Sequence, residues 1–451
     1  MASGPVSTTN ACKLCTPLGA AMAFKGVQGA VPFLHGSQGC ATYMRRYIIS
    51  HFREPVDIAS SALGEKHAIY GGGPNLKQGI LNVLHKYGAS CIGIASTCLT
   101  ETIGDDVPML LAEFRQEFGD LDLPPLVHVS TPSYSGTHME GFHGAVRALC
   151  EQLPQDDPQP HRRVTVLSGM VSPADIRHLK ELLHAFGLQG TILPDYSETL
   201  DGPALHDYEK IPSGGTPLDA LRALGGAPAC IELGRTLLER PATAGTSLSS
   251  RFGTPLHRLG LPLGLRASDA LFETLESLAG RYTPREHALE RGRLLDAMVD
   301  GHKYIAAKRC VVYGEEDLVI GLTAFLAEIG VHPVLVATGG SAPGLADAVR
   351  QACDGLLPEM PEVRAGVDFF DIAQRAQELS PDLLLGHSKG FRMARQWDVP
   401  LVRAGFPIHD RFGAQRVQHL GYRGAQQLYD RIVNAVLAKK QADSDVGYGY
   451  L

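Results

Sequence analysis

"KRCVVYGEEDLVIGLTAFLAEIGVHPVLVATG", residues 308–339, reads as a strand, a helix and a second strand in direct succession. The runs 308–315 and 331–339 are short and apolar, whereas 316–330 between them repeats apolar residues at spacings of three and four. A strand that returns through a helix joins a parallel sheet. The same alternation extends outward. Buried strands are expected at 89–97, 124–131, 162–169, 188–195, 227–234, 381–388 and 399–406, with helical stretches such as "PADIRHLKELLHAFG" (173–187) between them. The fold class is therefore α/β, with doubly wound layers and mostly parallel sheets.

Two polar breaks divide the chain. One is "EQLPQDDPQPHRR" (151–163), and the other is the charged helix expected over 283–309, which reads as a connector. The expected domains are 1–158, 159–300 and 301–451, the last ending in a C-terminal helix, each roughly 150 residues as is usual for domains. Ligands of such sheets sit beyond the C-terminal strand ends, where "STC", "STPSYSG", "SGMVSP" and "GHSKG" fall here.

Composition narrows the function classes. At 451 residues and 44% hydrophobic, the chain can bury cores without covalent staples. The net charge of -7 argues against a nucleic-acid surface, and "MRRY" at 44–47 is too short to alter that. No apolar run of about 18 residues offers a membrane span, and "MASGPVSTTN" lacks the basic and apolar regions of a secretory signal. A cytoplasmic protein is expected, with the tail 441–451 mobile unless a partner binds it.

Nine cysteines in a reducing compartment are better read as metal ligands or catalytic thiols than as a disulfide framework. Cys12 and Cys15 form a CxxC, but no second CxxC exists to complete a structural zinc site. A redox dithiol would follow a strand and open a helix, whereas this pair lies in an N-terminal segment ahead of Thr16 and Pro17. Cys40 closes "LHGSQGC" and Cys98 closes "IASTC", both at strand-to-turn positions whose small neighbours let the backbone approach a large prosthetic group. Thiolates gathered from separate loops suit an iron–sulfur cluster, and three of them leave it under-coordinated, so a second chain is expected to complete it. Cys91, Cys150, Cys230, Cys310 and Cys353 read as small buried hydrophobes.

Other signals carry less. "GGGPNLKQG" (71–79) opens a helix but lacks a P-loop ending, and reads as a turn and cap. His35, His51, His67, His128 and His138 lack metal-ligand spacing and read as hydrogen-bonding loop residues. Asp105 and Asp106 are expected to cap the following helix. No GxSxG elbow occurs.

At these residues a family resemblance emerges. "CTPLGAAMAFKG", "PFLHGSQGCATYMRRYIISHFREPVDIASS", "AIYGGGPNLKQGI", "STCLTETIGDDVP" and "STPSYSGTH" together resemble the β-type subunit of nitrogenase component 1 and its paralogues. The likeness continues through "ILPDYSETLDGP", "RFGTPLHRLGLPLGLRASDA" and "VPLVRAGFPIHDRFG", covering nearly the whole chain. It implies three Rossmann-like αβα domains in the nitrogenase component 1 fold and an α2β2 heterotetramer with an α-type partner. It implies that Cys15, Cys40 and Cys98 ligate an [8Fe-7S] P-cluster shared with that partner, that Ser133 can ligate the oxidised cluster, and that Tyr43 packs beside it. Cys12 has no counterpart in the pattern. Tyr70 and Ile103 match the face where an ATP-hydrolysing iron–sulfur reductase, a homodimer, docks. The substrate-reducing cofactor is expected in the partner, so no catalytic residue is assigned here.

Within the family, the chain lacks the long N-terminal extension of the molybdenum β subunit. Scaffold proteins of the NifN type usually keep only the counterpart of Cys40, whereas all three cysteines are present here. That combination resembles a nitrogenase-like reductase outside nitrogen fixation, with methylthio-alkane reductase, which cleaves C–S bonds reductively, as the leading expectation. The alternatives are an assembly scaffold, the β subunit of a true nitrogenase, and a metal-free α/β binding protein.

Overall fold

A computed structural model describes residues 11–446, so the expectations placed on 1–10 and on the last five residues of the tail lie outside the described residues. Three parallel sheets follow one another along the chain. The first holds β1 (Ala30–His35), β2 (Ala59–Ser60), β3 (Cys91–Ser96) and β4 (Leu126–Val129) in the order β2-β1-β3-β4. The second holds β5 (Arg163–Leu167), β6 (Gln189–Leu193), β7 (Cys230–Leu233) and β8 (Leu256–Leu259) in the order β6-β5-β7-β8. The third holds β9 (Arg309–Tyr313), β10 (His332–Ala337), β11 (Glu362–Arg364), β12 (Leu383–Gly386) and β13 (Leu401–Arg403) in the order β11-β10-β9-β12-β13. Helices cover the sheets, and β1 and β3 are buried along their whole length, as strands of a two-sided parallel sheet must be.

The stretch 308–339 folds as β9, the helix Glu316–Glu328 and β10, with Arg309 opposite His332 and Tyr313 opposite Ala337. Its helix is not half-exposed: Leu318, Val319, Ile320, Leu322, Phe325 and Leu326 are all buried, because it lies between the third sheet and the second unit. A helix apolar on all sides is stable only when covered on all sides. One full-length strand escapes the sequence pattern. β1 carries Pro32 in its middle, a residue that argues against a central strand. It is tolerated because alternate residues of a parallel strand face alternate neighbours: Leu34 accepts from Ser61 N on the β2 side, so Pro32 faces that side too, where β2 spans only two residues. The short strands β2, β8 and β11 lie at sheet edges and carry too few residues to register as apolar runs.

Two helix contacts set the frame of the molecule. The helix Thr16–Lys25 is buried along its entire length and crosses the helix His138–Gln152, with Gly19 against the His138 carbonyl and Gly141 against the Thr16 carbonyl. The helix Arg285–Ile305 lies where the connector is expected and packs on the C-terminal helix Gly421–Ala442. One continuous core links all three sheets, running through Leu34, Val166 and Val312. No helix among the described residues is long and apolar enough to cross a membrane.

Asp175 ties the second unit to the third. Fully buried, it accepts from Ser172, from His419 N at 2.7 Å and from Leu420 N at 2.9 Å. Burial alone would raise its carboxyl, but the His419 ring and these N–H groups overcome that and hold it below the usual carboxylate range. A depressed folded value means that the stabilisation is complete above the unfolded range, about pH 4, and fades as pH falls through the folded value. Asp175→Asn is expected to cost about 2 kcal/mol, the worth of hydrogen bonds to a charged group. Denaturant midpoints at pH 7 and at about pH 3, below the unfolded carboxylate range, check it, and the deficit should shrink at the lower pH.

Candidate metal centre

The order β2-β1-β3-β4 sends the connections after β1 and β3 to opposite sides, which opens a crevice at the C-terminal ends of those two strands. Both loops are tied together at their start. Thr97 N donates to His35 O at 3.1 Å, Thr100 Oγ1 donates to the same carbonyl at 2.9 Å, and Gly36 passes so close to Thr97 that a methyl there would overlap its side chain.

Each of the three expected ligands sits at the start of a helix. Cys40 is the third residue of Gln38–Phe52, which follows β1, and its thiol accepts from Ser37 Oγ at 3.4 Å. Cys98 is the first residue of Cys98–Ile103, which follows β3 behind the Thr97 cap. Cys15 is the N-cap of Thr16–Lys25, with Pro17 in the first turn, where its missing N–H costs nothing. Helix N-termini carry partial positive charge, a setting that suits an anionic group bound against them.

Ser133 joins two of these helices. Its N–H donates to Cys98 Sγ at 3.1 Å, its hydroxyl accepts from Thr16 N at 3.2 Å, and the same hydroxyl is hydrogen-bonded to Cys15. Burial pushes the Cys15 thiol up. The Ser133 hydrogen bond and the Lys389 ammonium oppose that rise, and the neighbouring Cys98 and Cys40 thiols add to it. Cys15, Cys40, Cys98 and Ser133 are therefore brought together. These three cysteines are partly exposed, whereas the other six are buried.

Among the described residues no group of three or more His, Cys, Asp or Glu side chains is placed to hold a single metal ion. Three soft donors that influence one another without closing on one ion fit a group larger than an ion. The donor set thus suits a multinuclear iron–sulfur group.

Tyr43 lies on this face, 39% exposed, with its ring 4.8 Å from that of Tyr47. Burial, a hydrogen bond with Tyr47 and the nearness of Cys15 all raise its hydroxyl. Tyr70 is 82% exposed and Ile103 half-buried, on short helices that pack against each other beside the crevice. Cys12 stays out of the group. It is buried at 3.9 Å from His387 Nε2, and burial raises its thiol far above the ordinary range.

Several polar residues take other places than the sequence pattern suggests. Asp106 caps the helix Val107–Glu117, but Asp105 instead accepts from Gly72 N and meets His35 Nε2 at 3.1 Å. A carboxylate thus accepts from the backbone N–H of Gly72 in the turn of "GGGPNLKQG". The five histidines are not loop residues: His35 and His128 lie in strands, and His51, His67 and His138 in helices. His138 bears on the site. Its Nδ1 accepts from Leu14 N at 3.3 Å, and its Nε2 faces Glu315 Oε1 at 3.3 Å, an oxygen that also accepts from Phe406 N. Lys389 bears on it as well, donating to Ala11 O at 3.0 Å. The third unit therefore grips the backbone on either side of Cys12, just ahead of Cys15. Nothing in the sequence marks Glu315 or Lys389 for this role, since both are hundreds of residues away.

Comparison with known proteins places the chain. A family model described as nitrogenase component 1 type oxidoreductase matches residues 15–437. The nitrogenase molybdenum-iron protein beta chain of Clostridium pasteurianum is 33% identical over 95% of this chain and 93% of its own length. The nitrogenase vanadium-iron protein beta chain of Trichormus variabilis is 33% identical, over 96% and 94%. The nitrogenase iron-molybdenum cofactor biosynthesis protein NifN of Bradyrhizobium diazoefficiens is 34% identical, over 96% and 90%. A chain of the solved structure "Nitrogenase Cp1 at pH 6.5" superposes with a TM-score of 0.95 at 31% identity, covering 100% of this chain and 98% of that one.

Proposed function

Because the chain belongs to the nitrogenase component 1 type oxidoreductase family, on the β-type side of it, we propose that it is the β-type subunit of a nitrogenase-like reductase. In this reading it holds an [8Fe-7S] cluster jointly with an α-type partner in an α2β2 complex. The observation that carries the reading is the set of three partly exposed thiols, each at a helix N-terminus, converging on one crevice.

A bound iron–sulfur group supplies one-electron carrier chemistry. This chain's residues hold and shield it: Cys15, Cys40 and Cys98 provide the sulfur, the Ser133 N–H directs a dipole at the Cys98 sulfur, and Tyr43 flanks the crevice on the partner's side. Ser133 Oγ, which accepts from Thr16 N, would be the oxygen donor to the oxidised group. The exposed Tyr70 and the adjacent Ile103 form the face on which an ATP-hydrolysing reductase docks. The substrate-reducing cofactor belongs to the partner.

The substrate we propose is the C–S bond of methylthio-alkanes. The complete thiol set favours a catalytic complex over a scaffold. Chain length does not separate it from a nitrogenase, since the Clostridium beta chain is matched over 93% of its length. The NifN likeness at 34% identity is the observation that keeps the scaffold as a second reading.

The complex purified without oxygen is expected to contain iron beyond that of the partner's cofactor and to reduce methylthio-ethanol when supplied with its reductase and ATP. Reduction of dinitrogen instead would make it a nitrogenase. Transfer of its cluster to an apo-enzyme without turnover of either substrate would make it a scaffold. An iron-free complex would overturn both.

A further inference from the structure

Lys389 lies in the short turn Ser388–Gly390 that follows β12, at the point where the strand order of the third sheet reverses. Its Nζ is directed away from its own unit, at Ala11 O (3.0 Å) and Lys13 O (3.5 Å), and lies 5.7 Å from the centre of the Tyr47 ring. These contacts join three stretches remote in sequence: the third unit, which carries Lys389, the N-terminal segment and the Cys40 helix. Among the described residues no carboxylate forms an ion pair with it. A partly buried ammonium whose shell is two carbonyls and an aromatic face is left short of negative charge. Its charge reaches the thiols of Cys12 and Cys15 and lowers both against the rise that burial imposes. Cys12 is buried against His387, whereas Cys15, two residues past the Lys13 carbonyl that Lys389 holds, is partly exposed at a helix start and is the proposed ligand.

We propose that Lys389 is a positioning residue for the iron–sulfur group, pinning the segment that carries Cys15 and setting a fixed positive charge beside that ligand. The inference rests on the proposed ligation of the group by Cys15. Positive charge at short range in a partly dry site favours the reduced, more negative state, so it raises the midpoint potential. Lysine suits the task as a compact point charge on a long stem.

Three variants separate pinning from charge. Lys389→Gln keeps a donor for the carbonyls and loses the charge, Lys389→Arg keeps the charge, and Lys389→Met loses both. The readouts are iron per complex and the midpoint potential of the iron–sulfur signal in anaerobic redox titration of the complex. Lys389→Gln is expected to retain wild-type iron with a midpoint shifted to more negative potential, Lys389→Arg to stay near wild type, and Lys389→Met to show the shift together with partial loss of iron. If Lys389→Met fails to assemble, the other two variants decide. A wild-type midpoint in fully loaded Lys389→Gln overturns this proposal alone, whereas a wild-type complex devoid of iron overturns the ligation reading and this proposal with it.

Discussion

Cys15→Ala, Cys40→Ala and Cys98→Ala are each expected to strip the chain's iron–sulfur signal and reduce turnover of the complex to background. The thiols come from three helix starts that meet only in the folded crevice, so no neighbouring sulfur can substitute for a missing one. Cys12 is the nearest candidate in sequence, and it is buried against His387 with its thiol raised far above the ordinary range. Cys91→Ala provides the contrast. Cys91 lies inside β3 with no exposure, so its loss removes one buried sulfur atom and leaves the iron content unchanged. Iron per complex, low-temperature spectra and circular dichroism on the same preparations separate loss of the group from loss of the fold. Full iron and full turnover in all three variants would remove the basis of the proposed function.

The second large effect concerns no chemical group at all. Gly19 and Gly141 let the helices Thr16–Lys25 and His138–Gln152 approach until their backbones touch, and a methyl on either would overlap a carbonyl of the other helix. Neither contact partner is the flexible end of a side chain, so the helices themselves must separate. Gly141→Ala is expected to destabilise by at least about 3 kcal/mol, the upper end of ordinary overpacking costs. It should also reduce iron binding in the protein that still folds, because Cys15 caps one of these helices and His138, which holds Leu14, opens the other. The same substitution at Gly292 should do the reverse. That residue is exposed in the helix Arg285–Ile305 with open space around it, and alanine there is worth up to about 1 kcal/mol in helix propensity. Denaturant unfolding of the three proteins tests the sign as well as the size.

The parallel α/β class was legible from local pattern, since strands such as β3 and β12 must be apolar on both faces and announce themselves as short continuous runs. β1 did not announce itself, because Pro32 is admissible only where a short neighbouring strand leaves that side unpaired, a fact about β2 rather than about β1. The cysteines stood out by kind and by family likeness. Their convergence, and the exclusion of Cys12 from it, could not be read from spacing, because helix starts on different elements were needed to aim them.

Residue order alone thus determined the class of fold, the alternation of strand and helix, and which side chains could bind a soft metal, since these follow from periodicity and from the chemistry of sulfur. Tertiary structure decided the site itself: the reversal of strand order that opens the crevice, the bare helix crossing that sets Cys15, and the reach of Glu315 and Lys389 from the third sheet. Local pattern reports on neighbours within a few residues, whereas those contacts join positions remote in sequence, and only packing brings them within range.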